Sequence, residues 1–259
     1  MSTAIRETFF DRLAERYESD FESNPLARYQ RRRVHALLAP LLKPGLRLLD
    51  VGCGTGADFP FYRQAGVQVT ALDVSPAMLA RARRRAEQLH WPVELLCQDF
   101  NDFQPEQPFH GAVFNFGVLN AFSNPAATLV RAARMVLPAG FALVVVMPPL
   151  HPAWMAGQLL HGQWTSLRQR CLHRTLTLPS GFTVRYVDRR DIPPCWQVLR
   201  AVSLGLLLPP PGRLKADRRP PAALKLACLL DRLCTSFLPA ALGGDHVAYL
   251  LKRKPEPLP

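Results

Sequence analysis

"LLDVGCGTGA", residues 48–57, decides the fold. An apolar run ends in Asp50-Val51 and passes into three glycines, Gly52, Gly54 and Gly56. Such a loop turns the backbone sharply and lets a ligand approach where a Cβ would stand in the way. Counted to Ala57, it fits G-x-G-x-x-A, the loop that cradles the pyrophosphate of a dinucleotide. Counted through Gly56, it reads G-x-G-x-G behind an acidic residue. Asp50 separates the two readings, because a carboxylate at that strand end repels phosphate and suits a cation.

Outward from the loop the pattern repeats. "LRLLDV" reads as a buried strand, with a helix over 56–64 stopped by Gly66. "VQVTALDV" is a second strand ending in Asp73, and Ser75-Pro76 supplies an N-cap and a first-turn proline for a helix over 77–89. "PVELLCQDF" reads as a third strand ending in Asp99, "FHGAVFNFG" as a fourth, followed by a helix over 125–136. "GFALVVVM" is a fifth, apolar throughout, as a strand covered on both faces should be. Strands alternating with helices predict an α/β, Rossmann-like, doubly wound and mostly parallel sheet. Upstream, residues 4–22 and 26–42 read as helices, broken by Pro44-Gly45. Downstream, a helix is expected over 152–170 and a hairpin over 174–187 around Pro-Ser-Gly. A helix over 193–200, a strand over 202–208, the loop "PPPG", a helix over 222–237 and a last strand "DHVAYLLKR" follow. The expected division is a helical cap over 1–43, a ligand-binding core over 44–148, a substrate-side insertion with the last strands over 149–254, and a disordered tail.

The charges narrow the ligand. Asp50, Asp73 and Asp99 end three successive strands, which favours a cation-bearing nucleoside over a doubly anionic dinucleotide. S-adenosylmethionine, with its α-ammonium and sulfonium, has that sign. Asp73 stands where an acidic side chain accepts from both ribose hydroxyls. "LLDVGCGTG", "VTALDVSPAML", "LLCQDF" and Pro138-Ala139-Gly140 together resemble the successive motifs of class I S-adenosylmethionine-dependent methyltransferases. The resemblance spans about residues 45–147 and takes in the terminal strand "DHVAYLLKR". It implies a seven-stranded sheet with an antiparallel last strand, with Gly52, Gly54 and Gly56 near the methionine part of the cofactor. It also implies Asp73 on the ribose, Asp99 and Phe100 on the adenine, and Val74 and Met78 beside the adenosine. "FFDRLAERYESDF" resembles the helix that precedes the core in small-molecule members, where an aromatic residue at the place of Tyr17 often closes over the cofactor. Packing against the core is the competing reading for Tyr17.

The acceptor side carries fewer signals. "FNFGVLNAF" has no prolines, unlike the D/N/S-P-P-Y/F/W motif of base and glutamine N-methyltransferases, so an amide or exocyclic nitrogen is disfavoured. Asn115 is placed to meet the methionine end of the cofactor, and Asn120 reads as a helix-entry residue ahead of a substrate contact. An oxygen acceptor needs a base, commonly histidine. His151, just past strand five, has the best expected position, ahead of His161, His173 and Tyr186.

The composition bounds the rest. At 259 residues, 48% hydrophobic and 20% charged, the chain suits one large domain. The six cysteines form no metal or disulfide pattern. No apolar signal core opens the sequence, and a cytoplasmic protein is expected. The net charge of +12 is compatible with RNA, an anionic membrane or an acidic substrate, and equally with dispersed arginines. The helix "AALKLACLLDRLCTSFL" either lies against the sheet or makes peripheral membrane contact. The leading expectation is a methyltransferase acting on a small, partly apolar metabolite through oxygen, nitrogen or carbon. An RNA methyltransferase, and a cofactor-binding scaffold without catalysis, are the alternatives.

Overall fold

The computed structural model describes residues 3–17, 21–209 and 222–255. The expected loop "PPPG" falls mostly outside them, as does most of the tail. Five parallel strands, β1 (Arg47–Val51), β2 (Gln68–Asp73), β3 (Glu94–Cys97), β4 (Phe109–Phe114) and β5 (Val136–Val146), are joined by β8 (Trp196–Leu204) and β9 (His246–Arg253). The order is β3-β2-β1-β4-β5-β9-β8, and β9 runs antiparallel to both of its neighbours. A two-stranded hairpin, β6 (Thr175–Thr177) and β7 (Thr183–Arg185), stands apart.

Alternate residues along each strand feed opposite faces of the sheet. Leu49, Val51, Phe114 and Val144 pack on one side with Leu129 and Ala132 of α5 (Pro125–Met135). Leu48, Val69, Val113, Leu143 and Val145 pack on the other with Val34 of α2 (Pro25–Leu38), Phe59 of α3 (Phe59–Gln64) and Ala82 of α4 (Pro76–Gln88). Ser75 caps α4 by accepting from the Met78 N–H at 3.1 Å, and Asn124 caps α5 through the Ala127 N–H at 3.0 Å. Each satisfies a donor that the first helical turn leaves free. The first helix, α1 (Thr3–Tyr17), lies across α4, its Asp11 accepting from the Ser75 hydroxyl and the Ala77 N–H.

Several expectations from the sequence need correction. The helix expected over 193–200 is strand: residues 196–204 pair with β9 through a bulge between Val198 and Arg200. Pairing with an existing strand outweighs the weak local preference for helix. Trp196 fixes the strand's place, its indole N–H donating to the Leu129 carbonyl at 2.9 Å. The helix expected over 152–170 breaks into α6 (Pro152–Leu160) and α7 (Trp164–Arg168), because Gly162 adopts a left-handed φ of +65° between them. The helix expected from Gly56 begins at Phe59, since Gly52, Gly54 and Gly56 all have positive φ and keep the loop turning. The third strand stops at Cys97, leaving Asp99 in the following turn. Asn120 caps no helix. Its amide instead binds both backbone groups of Met147 and the Arg185 carbonyl, tying β5 to the hairpin.

Trp196 both fills the core and makes a hydrogen bond that orders the strand. Trp196→Ala is therefore expected to cost about 3–5 kcal/mol, read as a lower midpoint in urea unfolding, with Trp196→Phe less affected.

Candidate functional site

The carboxyl ends of β1, β2, β4 and β5 converge where the strand order reverses, between β1 and β4, the place where open α/β sheets bind ligands. A cavity of about 400 Å³ opens there. Among the residues proposed from sequence, its wall contains Tyr17, Gly52, Gly54, Asp73, Val74, Met78, Phe100 and Asn115. Asp50, Gly56, Asp99 and His151 stand outside that wall.

The three glycines have different tasks. A Cβ on Gly52 would come within 2.6 Å of the Val118 side chain, and one on Gly56 within 2.6 Å of the Phe59 ring. A Cβ on Gly54 would meet nothing within 4 Å, so its empty side faces the open site. The Gly54 N–H donates to Asp73 Oδ2 at 2.8 Å, and Asp73 Oδ1 accepts from the Ser75 N–H at 2.9 Å. Asp73 thereby locks the loop to the end of β2 while its carboxylate lines the cavity. Burial raises its pKa against these hydrogen bonds, which pull the other way.

Asp50 is buried behind the loop. Desolvation pushes its carboxyl well above the usual range, and the charge of Asp58 adds to the rise while Arg31 opposes it. Asp99 is already engaged: Arg6 and Thr3 of α1 donate to Oδ2, and the Asn101 N–H to Oδ1. Its task in this structure is to hold α1 against the turn after β3, and Gln98 and Phe100 face the cavity in its stead. His151 is fully buried, with Nε2 against the Leu208 carbonyl at 3.2 Å and burial lowering its pKa.

The densest polar cluster went unread in the sequence. Asp58, two residues past the glycine loop, accepts from Arg31 at 2.6 Å, His35 at 2.7 Å and the Asn115 amide at 2.7 Å. Burial alone would raise its pKa. The charge of Arg31 with the hydrogen bonds of His35 and Arg31 outweighs burial and holds the carboxyl well below the carboxylate range. The same pairing holds Arg31 above its ordinary value despite burial. Asp58 sits at the N-cap position of α3 yet caps nothing, because its oxygens are taken. Arg31 lines the cavity and lies over the Phe116 ring, 4.8 Å from its centre. Asn115, having spent its amide N–H on Asp58, leaves Oδ1 buried in the cavity wall without a donor. Unsatisfied buried acceptors are uncommon and ask for a partner.

Part of the wall is aromatic. Phe9 of α1 stacks on Phe182 in the hairpin turn at 4.1 Å between ring centres, and Phe10 meets the same ring edge-on at 5.4 Å. At the start of β9, Asp245 accepts from Gln30 at 2.9 Å and pairs with His246 Nδ1 at 3.0 Å, and the His246 ring meets Phe116 edge-on at 5.5 Å. Asp245 is held below its usual pKa because His246 and the Gln30 hydrogen bond outweigh burial. Both Asp245 and His246 line the cavity. An acidic residue next to a histidine at a strand start carried little signal in the sequence. Only the fold brings the pair to the site.

Of the three arginines at 31–33, two turn inward and Arg32 is exposed. Arg31 turns in to Asp58, and Arg33 donates to Thr235 at 2.6 Å and faces Asp231 at 3.7 Å. Removing Asp58 strands a buried guanidinium, so Asp58→Ala is expected to cost about 3 kcal/mol, measured by chemical denaturation. The contribution of Asp58 is present above the carboxylate pKa of the unfolded chain and is lost as pH falls towards its depressed folded value.

Comparison with known proteins agrees with this geometry. Residues 48–140 match the family model described as a methyltransferase domain. A ubiquinone biosynthesis O-methyltransferase of Xanthomonas campestris pv. campestris (strain B100) is 32% identical over 133 residues, 51% of this chain and 56% of that protein. Its counterpart in Rhodopseudomonas palustris (strain HaA2) is 30% identical over 103 residues, 40% of each chain. The chain thus spans about half the length of the curated relatives it matches. Among solved structures, Burkholderia thailandensis 1,6-didemethyltoxoflavin-N1-methyltransferase, with bound 1,6-didemethyltoxoflavin and S-adenosylhomocysteine, superposes with a TM-score of 0.61 at 14% identity, over 97% of this chain and 88% of that one. Magnesium protoporphyrin IX methyltransferase from Synechocystis PCC 6803, with bound S-adenosylhomocysteine, gives 0.61 at 16% identity, over 97% and 99%. Residues 48–140 are thus similar to a methyltransferase domain, and the seven-stranded α/β fold is the one shared with these two methyltransferase structures.

Proposed function

We propose that the protein is an S-adenosylmethionine-dependent methyltransferase whose acceptor is a small, partly apolar molecule. The observation that carries this reading is the polarity of the cavity. Its wall combines Asp73, Arg31 and Asn115, whose Oδ1 has no donor, with Phe9, Phe10, Phe100 and Phe182. The residues fit the cofactor: Asn115 Oδ1 suits an α-ammonium, Arg31 an α-carboxylate, and Asp73 a pair of ribose hydroxyls. Phe100, Val74 and Met78 would flank the adenosine, and Tyr17 would close over it from α1. When bound, the cofactor supplies a methyl group made electrophilic by its sulfonium.

The acceptor we favour is a hydroxyl. His246, paired through Nδ1 with Asp245 in the cavity wall, is the residue we place as the base. Transfer between two held partners depends mainly on positioning, and a base adds to that only where the acceptor must lose a proton. The names of the Xanthomonas and Rhodopseudomonas relatives, both O-methyltransferases, support an oxygen acceptor. His151 takes no part in this reading, being buried against Leu208.

By calorimetry, S-adenosylhomocysteine is expected to bind, and Asp73→Ala and Asp73→Asn to weaken it about tenfold or more, the scale of hydrogen bonds to a charged group. Binding of NAD in its place would overturn the reading. Once an acceptor is in hand, His246→Gln is expected to lower kcat by about 10²–10⁴, with cofactor affinity unchanged. An unaltered kcat would remove the hydroxyl assignment and leave the methyltransferase reading standing.

A further inference from the structure

The last helix, α8 (Ala222–Phe237), leaves five of its large apolar side chains outside. Its inward face mixes the fully buried Asp231 and Thr235 with Leu224, Ala227 and Cys228, which pack on Leu26, Tyr29 and Leu208. Asp231 accepts from the Tyr29 hydroxyl at 3.0 Å, the Leu207 N–H at 3.0 Å and the Gly205 N–H at 3.3 Å. Arg33 donates to Thr235 and stands 3.7 Å from the Asp231 carboxylate. Leu226, Leu229, Leu230, Leu233 and Phe237, spaced by three and four, form one stripe on the outer side, exposed by 48–87%.

This orientation is fixed. Rotating α8 to bury its leucines would pull Asp231 from three hydrogen bonds and leave Arg33 inside without its partner, at a cost that the breaking of buried ion pairs makes large. The stripe runs on past the helix through Leu238 and Leu242, each about two-fifths exposed. Leu150, exposed to a similar degree, lies beside that segment, its carbonyl accepting from the Gly244 N–H at 3.0 Å.

Charge selects the occupant. The exposed charges on α8 are Lys225 and Arg232, both on one edge of the stripe, and its single acid is the buried Asp231. A second copy would bring two basic edges together in a chain already at +12. A phospholipid surface bearing negative charge satisfies both features, since apolar side chains sink to the acyl boundary while lysine and arginine stay at the headgroups.

We propose that α8 docks the protein on anionic lipid bilayers, with the leucine stripe in the interface. The contact is peripheral: no helix among the described residues is long and apolar enough to cross a membrane. It is independent of the methyltransferase reading. It also bears on the site, because α2 supplies Tyr29 and Arg33 to α8, and Gln30 and Arg31 to the cavity.

The test is co-sedimentation of the full chain with vesicles of phosphatidylglycerol and phosphatidylethanolamine, against vesicles of phosphatidylcholine alone. The chain is expected to pellet with the anionic vesicles and to be released by salt. Leu229→Gln, Leu233→Gln and Phe237→Gln combined are expected to weaken partition at least about tenfold. Lys225→Glu with Arg232→Glu should weaken it too and flatten its salt dependence. Titration with S-adenosylhomocysteine, expected to be unchanged in both variants, reports on the fold and on the cofactor reading separately from the membrane result. If the leucine variant fails to fold, the charge variant decides alone. Wild-type protein remaining in the supernatant would overturn the proposal, as would variants that pellet like wild type. So would a dimer in vesicle-free solution that the leucine variant dissolves, because a second copy would then cover the stripe.

Discussion

The carboxylate of Asp58 takes donors from three parts of the chain: Arg31 and His35 from α2, and Asn115 from the end of β4. Asp58 itself follows directly on the glycine loop. One buried anion therefore sets the distance between the N-terminal helices, the loop and the central strands, and these together form part of the cavity wall. Without Arg31 the charge would be intolerable at that depth, and without Asp58 Arg31 would be. Each makes the burial of the other affordable. The arrangement also leaves Asn115 Oδ1 buried without a donor.

A second set of polar contacts closes the N-terminal side. Arg6 and Thr3 reach Asp99, and Asp11 reaches Ser75 and Ala77. Glu22 receives Thr55 and Arg85. These pairings join α1 and Glu22 to the ends of the sheet at several points, and Phe9, Phe10, Leu13 and Tyr17 of α1 line the cavity between them. Apart from the buried Arg6–Asp99 pair, these partly exposed contacts contribute little individually. Their value is positional, because they hold the aromatic face of α1 over the cavity.

Much of the core was legible because each of its signals is local. Glycines at 52, 54 and 56, Ser75-Pro76 before a helix, and a fully apolar fifth strand depend on residues within one turn or one strand. Their order alone implied a parallel sheet, and the observed order β3-β2-β1-β4-β5-β9-β8 follows. The region after β5 was less legible. Residues 196–204 alternate poorly and become strand through pairing with β9, while Gly162 divides what periodicity presents as one helix. Asp58 looks like an ordinary helix cap, and Asp245-His246 like the polar start of an edge strand. Neither announces partners that lie 27 and 215 residues away, at Arg31 and Gln30.

The sequence by itself determined the α/β architecture, the place of the glycine loop at the end of β1 and the acidic end of β2, since backbone conformation and strand burial follow from neighbouring residues. Tertiary structure decided which carboxylates face the cavity. It turned Asp99 to Arg6, Asp50 behind the loop and His151 into the interior, and brought His246 to the wall. It also decided that α8 would bury Asp231 and show its leucines. The physical reason is common to both: a buried charge goes where a partner exists, and the partners come from parts of the chain that only folding brings within hydrogen-bonding distance.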